Sequence, residues 1–216
     1  MVKIGVACLA VIVMFSGCGK DDEEQPKEPT KDPITYDEGI VINGVKWATR
    51  NVDEVGTFAT TPESYGKFYQ WNRKKAWNTT DSIVSGWDSI VPEGTEWVTV
   101  NDPSPAGWRI PTFEEIKKLL DTDKVSNEWI TENGVNGKKF IDKATGKSIF
   151  LPTVGYRHNV TGTLSAVGVT PGYWSRTPHE SEELQAYLLG WHNNNSEPSW
   201  YGSIRSYGFS VRSVAE

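Results

Sequence analysis

Gly107-Trp108-Arg109-Ile110-Pro111-Thr112-Phe113-Glu114-Glu115-Ile116-Lys117-Lys118-Leu119-Leu120 is the stretch that decides the fold. A short apolar run ends at Pro111, and a helix is predicted directly after it. Thr112 and Glu115 have the S/T-x-x-E spacing of a capping box, in which each side chain satisfies the free backbone N–H of the other residue. Phe113, Ile116, Leu119 and Leu120 then recur at helical spacing, with Lys117 and Lys118 on the other face. The stretch therefore reads as strand, turn and helix, with one face of the helix buried.

Short β-rich runs surround it. Ile40-Val41-Ile42-Asn43-Gly44-Val45-Lys46-Trp47-Ala48 reads as a hairpin, because Asn-Gly accepts the positive φ angles of a type I′ turn. Phe68-Tyr69-Gln70-Trp71 and Trp97-Val98-Thr99-Val100 are predicted strands, and the segment from Asn72 to Gly94 between them is polar and irregular. Lys139-Phe140-Ile141 and Ser148-Ile149-Phe150-Leu151 flank a turn containing Gly146, a second predicted hairpin. Further strands are expected at Gly172-Tyr173-Trp174-Ser175, Ala186-Tyr187-Leu188-Leu189 and Phe209-Ser210-Val211-Arg212-Ser213-Val214. Many short strands with one or two helices point to an α+β fold.

The first residues read as a processing signal. Lys3 supplies a basic start, and the apolar run Ile4–Phe15 is too short for a spanning helix, which needs about 20 residues. Ser16 and Gly17 lead to Cys18 in a sequence that resembles a bacterial lipobox. An ordinary secretory leader cut nearby is the alternative. On the lipoprotein reading, residues 1–17 are removed and Cys18 becomes the acylated N-terminus, held by more than one chain because a single chain anchors only marginally. Residues 18–33 form a charged, Pro-punctuated tether without apolar residues to bury. Its Lys20-Asp21-Asp22-Glu23-Glu24 run looks like the acidic export signal of Bacteroidetes surface lipoproteins, or is a solvated linker. Residues 34–216 are enough for a single domain that buries about 70% of its unfolded surface.

With Cys8 in the leader and Cys18 as the anchor, the domain has no thiol. A disulfide framework, a redox pair, a Cys nucleophile and a Cys-based metal cluster are excluded there. The formal net charge is −6, with no basic tract. Nucleic acid and anionic membrane surfaces are therefore not expected as partners. Membrane contact is expected through the lipid anchor.

Six blocks in order resemble the major paralogous domain family first described from Fibrobacter succinogenes. They are Ile42–Val52, Tyr65–Trp71, Pro105–Thr112 with its Pro-Ala-Gly-Trp-Arg-Ile-Pro-Thr, Leu151–Arg157, Tyr173–Thr177 and Gly208–Val214. The resemblance spans essentially Ile40 to Val214. It departs at Asp102 and Ser213, where the family often has Cys, so no shared disulfide carries over. Such domains are similar to C-type-lectin-like and formylglycine-generating-enzyme-like folds. The resemblance thus implies a small twisted, mainly antiparallel sheet, one or two helices and long irregular loops near the C-terminus. Trp47, Trp108 and Trp174 lie inside these blocks and are expected to be structural.

Catalytic patterns do not emerge. Formylglycine-generating chemistry acts through cysteines, which the domain lacks. His158, His179 and His192 do not form HExxH, and no Ser sits in G-x-S-x-G. Glu114 and Glu115 are explained by the helix start better than as a glycosidase pair. Glu197-Pro198-Ser199 faintly resembles the Glu-Pro-Asn of calcium lectins, but Ser replaces the amide and the Trp-Asn-Asp partner motif is missing. Asp81-Ser82-Ile83 and Asp88-Ser89-Ile90 look like a three-residue O-glycosylation motif of the same bacteria, short enough to arise by chance.

The stretch from Gly190 to Gly202 gathers aromatic faces, amides and a carboxylate into one predicted loop. Trp191, His192, Asn193, Asn194, Asn195, Glu197, Trp200 and Tyr201 are its candidate ligand-binding residues. Flat rings give large contact area at low entropic cost, and amides make directional hydrogen bonds. Plain surface is the alternative, and the chain's ten tryptophans cannot all bind. No catalytic residue, metal ligand or cofactor is assigned. The sequence reading is thus a lipid-anchored, outer-membrane, cell-surface domain that binds a glycan or protein without enzymatic activity. A structural or assembly subunit of a surface appendage is second, and an enzyme of unrecognised type third. On this reading Cys18→Ala should leave the protein soluble or uncleaved, and protease shaving of intact cells should remove the domain. Membrane fractionation and whole-cell proteolysis check this, and retention in the periplasm would overturn the surface address.

Overall fold

The structure, a computed structural model, describes residues 32–194 and 196–216. The expected leader, Cys18, most of the tether and Asn195 lie outside the described residues. Residues 33–216 form one compact unit. Asn43 and Gly44, at φ 44° and 77°, turn β1 (Ile40–Ile42) back onto β2 (Val45–Trp47), the left-handed pair that a type I′ hairpin needs. β3 (Phe68–Gln70) follows where expected.

The expected strand at Trp97–Val100 does not form, and Thr99–Asn101 makes a 3-10 turn. Trp97 turns into the core, but Val100 is 73% exposed and has no sheet to pack on. Asn72 holds the segment instead. Its side-chain oxygen accepts from the Val98 N–H at 2.9 Å, and its backbone carbonyl accepts from Asn101 Nδ2 at 2.9 Å. A β-rich run whose backbone groups are satisfied by a loop has no need of a ladder.

β4 (Trp108–Arg109) and α1 (Phe113–Leu119) realise the strand-turn-helix reading. The Thr112 hydroxyl accepts from the Glu115 N–H at 3.2 Å, and the Glu115 carboxylate accepts from the Thr112 N–H at 2.8 Å. Arg109 adds two further bonds to that carboxylate, at 2.7 and 2.8 Å, which ties the strand end to the first helical turn. Burial pushes the Glu115 carboxyl up, but Arg109 and Thr112 together outweigh it and leave it below the usual carboxylate range. Glu114 pairs with Lys117 on the outer face. Ile116 and Leu119 are buried as expected, whereas Phe113 is only half-buried.

A second Asn-Gly pair, Asn133 and Gly134 at φ 47° and 83°, joins β5 (Val125–Glu132) to β6 (Val135–Asp142) in the longest hairpin. β7 (Ser148–Pro152) extends it to an antiparallel sheet of order β5-β6-β7. β8 (Tyr156–Arg157), β9 (Leu164–Ser165), β10 (Gly172–Pro178), β11 (Gln185–Gly190), β12 (Ser199–Ile204) and β13 (Gly208–Ser210) build the largest sheet. Its order is β12-β11-β10-β13-β8-β9, with β3 also paired to β13, and only β10 and β13 run parallel. β14 (Val214–Ala215) completes a third sheet of order β1-β2-β14-β4.

Two sequence readings are corrected here. Phe209–Val214 is not one strand, because its ends belong to different sheets. Between them the Val211 carbonyl accepts from the Val52 N–H and the Ser213 carbonyl accepts from the Ala48 N–H. The loop expected from Gly190 to Gly202 contains β12, which pairs with β11 from Gly190↔Ser199 to Gln185↔Ile204. Of the described residues in that stretch, only 191–194 and 196–198, at the tip, are loop.

The architecture is α+β, with small, mainly antiparallel sheets and one α-helix among the described residues. One apolar cluster joins Trp47, Ile116, Leu119, Tyr173 and Trp191, and a second joins Trp71, Trp97, Trp174 and Phe209. Trp47, Trp108 and Trp174 are buried, as expected. Trp108 meets Phe58 edge-on at 5.6 Å. At the two positions where the resembled family often has Cys, Asp102 accepts from the Ser104 and Ile110 N–H groups, and Ser213 Oγ lies 2.8 Å from Ser104 Oγ. Trp108→Ala should cost about 3–5 kcal/mol by emptying this packed site, and Thr112→Ala about 1 kcal/mol through the lost cap. Chemical denaturation of the two variants measures both, and an unchanged Trp108→Ala midpoint would place the ring outside the core.

Candidate functional site

The β11–β12 hairpin distributes the candidate residues over three environments. Strand alternation puts neighbouring side chains on opposite faces of a sheet. The register pairs Trp200 with Leu189 and Tyr201 with Leu188, so the two adjacent aromatics point to opposite sides. Trp191, just past the end of β11, is fully buried and packs beside Phe140 and Tyr173, with ring centroids 6.2 and 6.4 Å away. It is a core residue, which corrects its reading as a ligand contact. The apolar ring follows the Leu189 side inward, and the polar neighbours that made it look like a loop residue are on the tip.

Glu197 is also drawn away from a common binding surface. Its Oε2 accepts from Asn127 Nδ2 at 2.9 Å, and Asn127 Oδ1 accepts from Lys138 Nζ at 3.0 Å. Burial lowers the pKa of the Lys138 ammonium and the Glu197 carboxylate opposes that shift. Glu197 thus serves to compensate a buried cation on β6. Asn193 is positioned by backbone geometry, at φ 61° with its N–H donated to the Val169 carbonyl at 2.9 Å. Asn194 is exposed on the turn, and Asn195 lies outside the described residues.

Two of the candidates do converge. His192 and Tyr201 sit with ring centroids 5.4 Å apart and together line an open groove of about 280 Å³. The rest of the wall comes from positions outside that stretch or not singled out within it: Tyr156 on β8, Leu188 on β11, Ser203 on β12, Phe209 on β13, Tyr207 on the turn before β13, and Thr170 and Pro171 leading into β10. Tyr156, Tyr207 and Phe209 form a ring triad with centroids 5.6 to 5.8 Å apart, and Trp191 backs the groove from the core side. Burial and the neighbouring Tyr156 both push the Tyr207 hydroxyl up, so it stays protonated and able to donate at neutral pH. No charged side chain lines the groove.

The opposite face of the hairpin carries a separate aromatic group. Phe113 on α1 stacks on Tyr187 at 3.9 Å, and Trp200 meets both rings edge-on at 5.2 and 5.6 Å. Trp200 remains 45% exposed, and Lys117 Nζ lies 4.9 Å from the Phe113 centroid. The three histidines are dispersed, with His158 beside Tyr207, His179 beside Tyr187 and His192 beside Tyr201. Among the described residues no group of three His, Cys, Asp or Glu is placed to hold a metal ion.

The groove thus offers flat apolar faces with a few hydroxyl and imidazole groups. Sequence reasoning missed Tyr156, Tyr207 and Phe209 because they come together only through the order of the sheet. The burial of Trp191 has a direct test. Trp191→Ala should lower stability by about 3–5 kcal/mol, whereas His192→Ala and Asn194→Ala should stay within about 0.5 kcal/mol of wild type. Thermal melts of the three variants decide it, and an unchanged Trp191→Ala melt would return the ring to the surface. No family model, curated protein or solved structure matches this chain.

Proposed function

We propose that this protein is a lipid-anchored cell-surface domain of C-type-lectin-like architecture that captures an external ligand, a glycan or a protein, without catalysing a reaction. The observation that carries the reading is the aromatic groove, because an open, uncharged site with several half-buried rings is what recognition of a sugar face or an apolar side chain requires. Its volume of about 280 Å³ suits one such group. The anchor through Cys18 and the outer-membrane address rest on the leader and the acidic tether. The lectin-like architecture rests on the six sequence blocks together with the small antiparallel sheets and the single helix.

Tyr201 and Tyr207 carry the binding in this reading, with Tyr156 and His192 beside them. Glycan and peptide arrays probed with the full-length protein supply the ligand and the assay. Tyr201→Ala and Tyr207→Ala should each weaken capture by about thirtyfold or more, the loss typical of a hot-spot aromatic. Val100→Ala, on a remote exposed turn, should change nothing, and EDTA should have no effect. Melting curves run alongside separate lost contact from lost fold. Capture that survives both tyrosine variants would move the ligand surface elsewhere.

A further inference from the structure

β12 forms one wall of the groove and is also the outer strand of the largest sheet. An outer strand has one side of its backbone without a neighbouring ladder, and proteins blunt such edges with short length, charge or proline. The other edges among the described residues follow that rule. β4 and β9 have two residues each, β1 and β3 three each, β5 carries Glu128 and Glu132, and β7 ends in Pro152. β12, Ser199-Trp200-Tyr201-Gly202-Ser203-Ile204, has six residues, no charge and no proline. It is flanked by aromatic surface on both faces, the groove beside Tyr201 and the Phe113–Tyr187–Trp200 group beside Trp200.

We infer that the ligand of this groove is an extended polypeptide segment that adds as a strand to the free edge of β12. The inference rests on the groove being the binding site and names the partner class. Backbone pairing gives affinity in strand addition, and alternate side chains give specificity. Every second residue of the segment enters the groove side against Tyr201 and Ser203, and the intervening residues pack over Trp200. Charge complementarity narrows the choice further. Neither β12 nor the groove carries a charge, so the central residues of the segment are uncharged and apolar. The turn joining β10 to β11 brings exposed Glu180, Glu182 and Glu183 to the Ile204 end of β12, so the residue lying there is basic. A sugar is the poorer fit, because the groove wall has no carboxylate or amide side chain to clamp adjacent hydroxyls.

The test selects a random dodecapeptide display library on the immobilised full-length protein, and a glycan array runs in parallel. Enriched peptides should carry a run of uncharged, apolar residues with a basic residue at one end, and should bind less tightly to the Ser203→Lys variant, whose melting temperature is checked first. Synthetic copies N-methylated one residue at a time then report the backbone. Methylation at alternate residues should weaken binding by about tenfold, and at intervening residues by no more than about threefold. Amides between residues 199 and 204 should gain protection from hydrogen exchange when the peptide is bound. If binding peptides show no alternation on N-methylation, strand addition is wrong. If no peptide enriches while a glycan is captured in a Tyr207-dependent manner, strand addition falls and the groove reading stands. If neither class is captured, both fall.

Discussion

The arrangement of the sheets depends on one buried guanidinium. Arg212 is buried where the chain crosses from β13 to β14. Its Nε donates to Asn51 Oδ1 at 2.9 Å and its Nη1 to the Ala48 carbonyl at 3.2 Å. No carboxylate among the described residues lies within ion-pair distance, and Nη2 has no acceptor there. Burial pushes its pKa down to about 10, against smaller support from Tyr173 and Asp37, so it remains charged at neutral pH. A buried charge held by neutral acceptors tolerates little displacement, because each lost bond exposes its desolvation cost. The register of residues 48–52 against 211–213 is thereby fixed. Asn51 extends the constraint, since its Nδ2 donates to the Tyr65 carbonyl and its own carbonyl accepts from the Ala59 N–H.

From that crossing, aromatic polar groups carry the order outward. Trp174 Nε1 donates to the Tyr69 carbonyl at 2.8 Å, and Trp71 Nε1 to the Ser175 carbonyl at 3.0 Å, so β10 and β3 are held by reciprocal indole bonds as well as by packing. The Tyr173 hydroxyl donates to the Pro152 carbonyl, which joins β10 to the end of β7. Each contact satisfies a buried polar group and selects one sheet arrangement at once. β10 is therefore the rigid strand from which β11 and β12 extend. The groove owes its shape to the same strand, since Pro171 precedes it, Leu188 lies on its neighbour β11, and Phe209 on β13 is its parallel partner.

What was legible in the sequence was local. Thr112 and Glu115 announce a helix start because a capping box involves residues three apart, and Asn43-Gly44 announces a hairpin because the turn chemistry is complete within the pair. Asn133-Gly134 carries the same signal, yet the sequence reading puts a hairpin only at the next turn, between Lys139–Ile141 and Ser148–Leu151, which are parts of β6 and β7, and the longer β5–β6 hairpin goes unread. The Trp97–Val100 run had strand composition, but composition does not reveal whether a neighbouring strand exists, and Asn72 occupied its backbone groups. At the site, His192 and Tyr201 were found because they fall in one aromatic- and amide-rich stretch. Tyr156 and Tyr207 were not, because their proximity to that stretch is a property of sheet order. Trp191 was misplaced for a related reason: two tryptophans nine residues apart look alike in sequence, while burial separates them completely.

That separation is why the proposed function puts recognition on the hairpin's wall more than on its tip. Trp191 fixes the end of β11 in the core, Glu197 fixes the start of β12 through Asn127 and Lys138, and Asn193 is bonded to the Val169 carbonyl. The aromatics of the wall are different: their backbones are held by at least one neighbouring strand or by a tight turn, and their rings already touch one another. Binding surfaces built on such elements lose little conformational freedom when a ligand arrives, so more of the contact energy survives as affinity. Asn194, exposed on the tip, has the hydrogen-bonding groups for recognition but lies in no strand. The physics of the hairpin is therefore the reason the proposed site moves from the residues that look most like a binding loop to the ones that the sheet has already ordered.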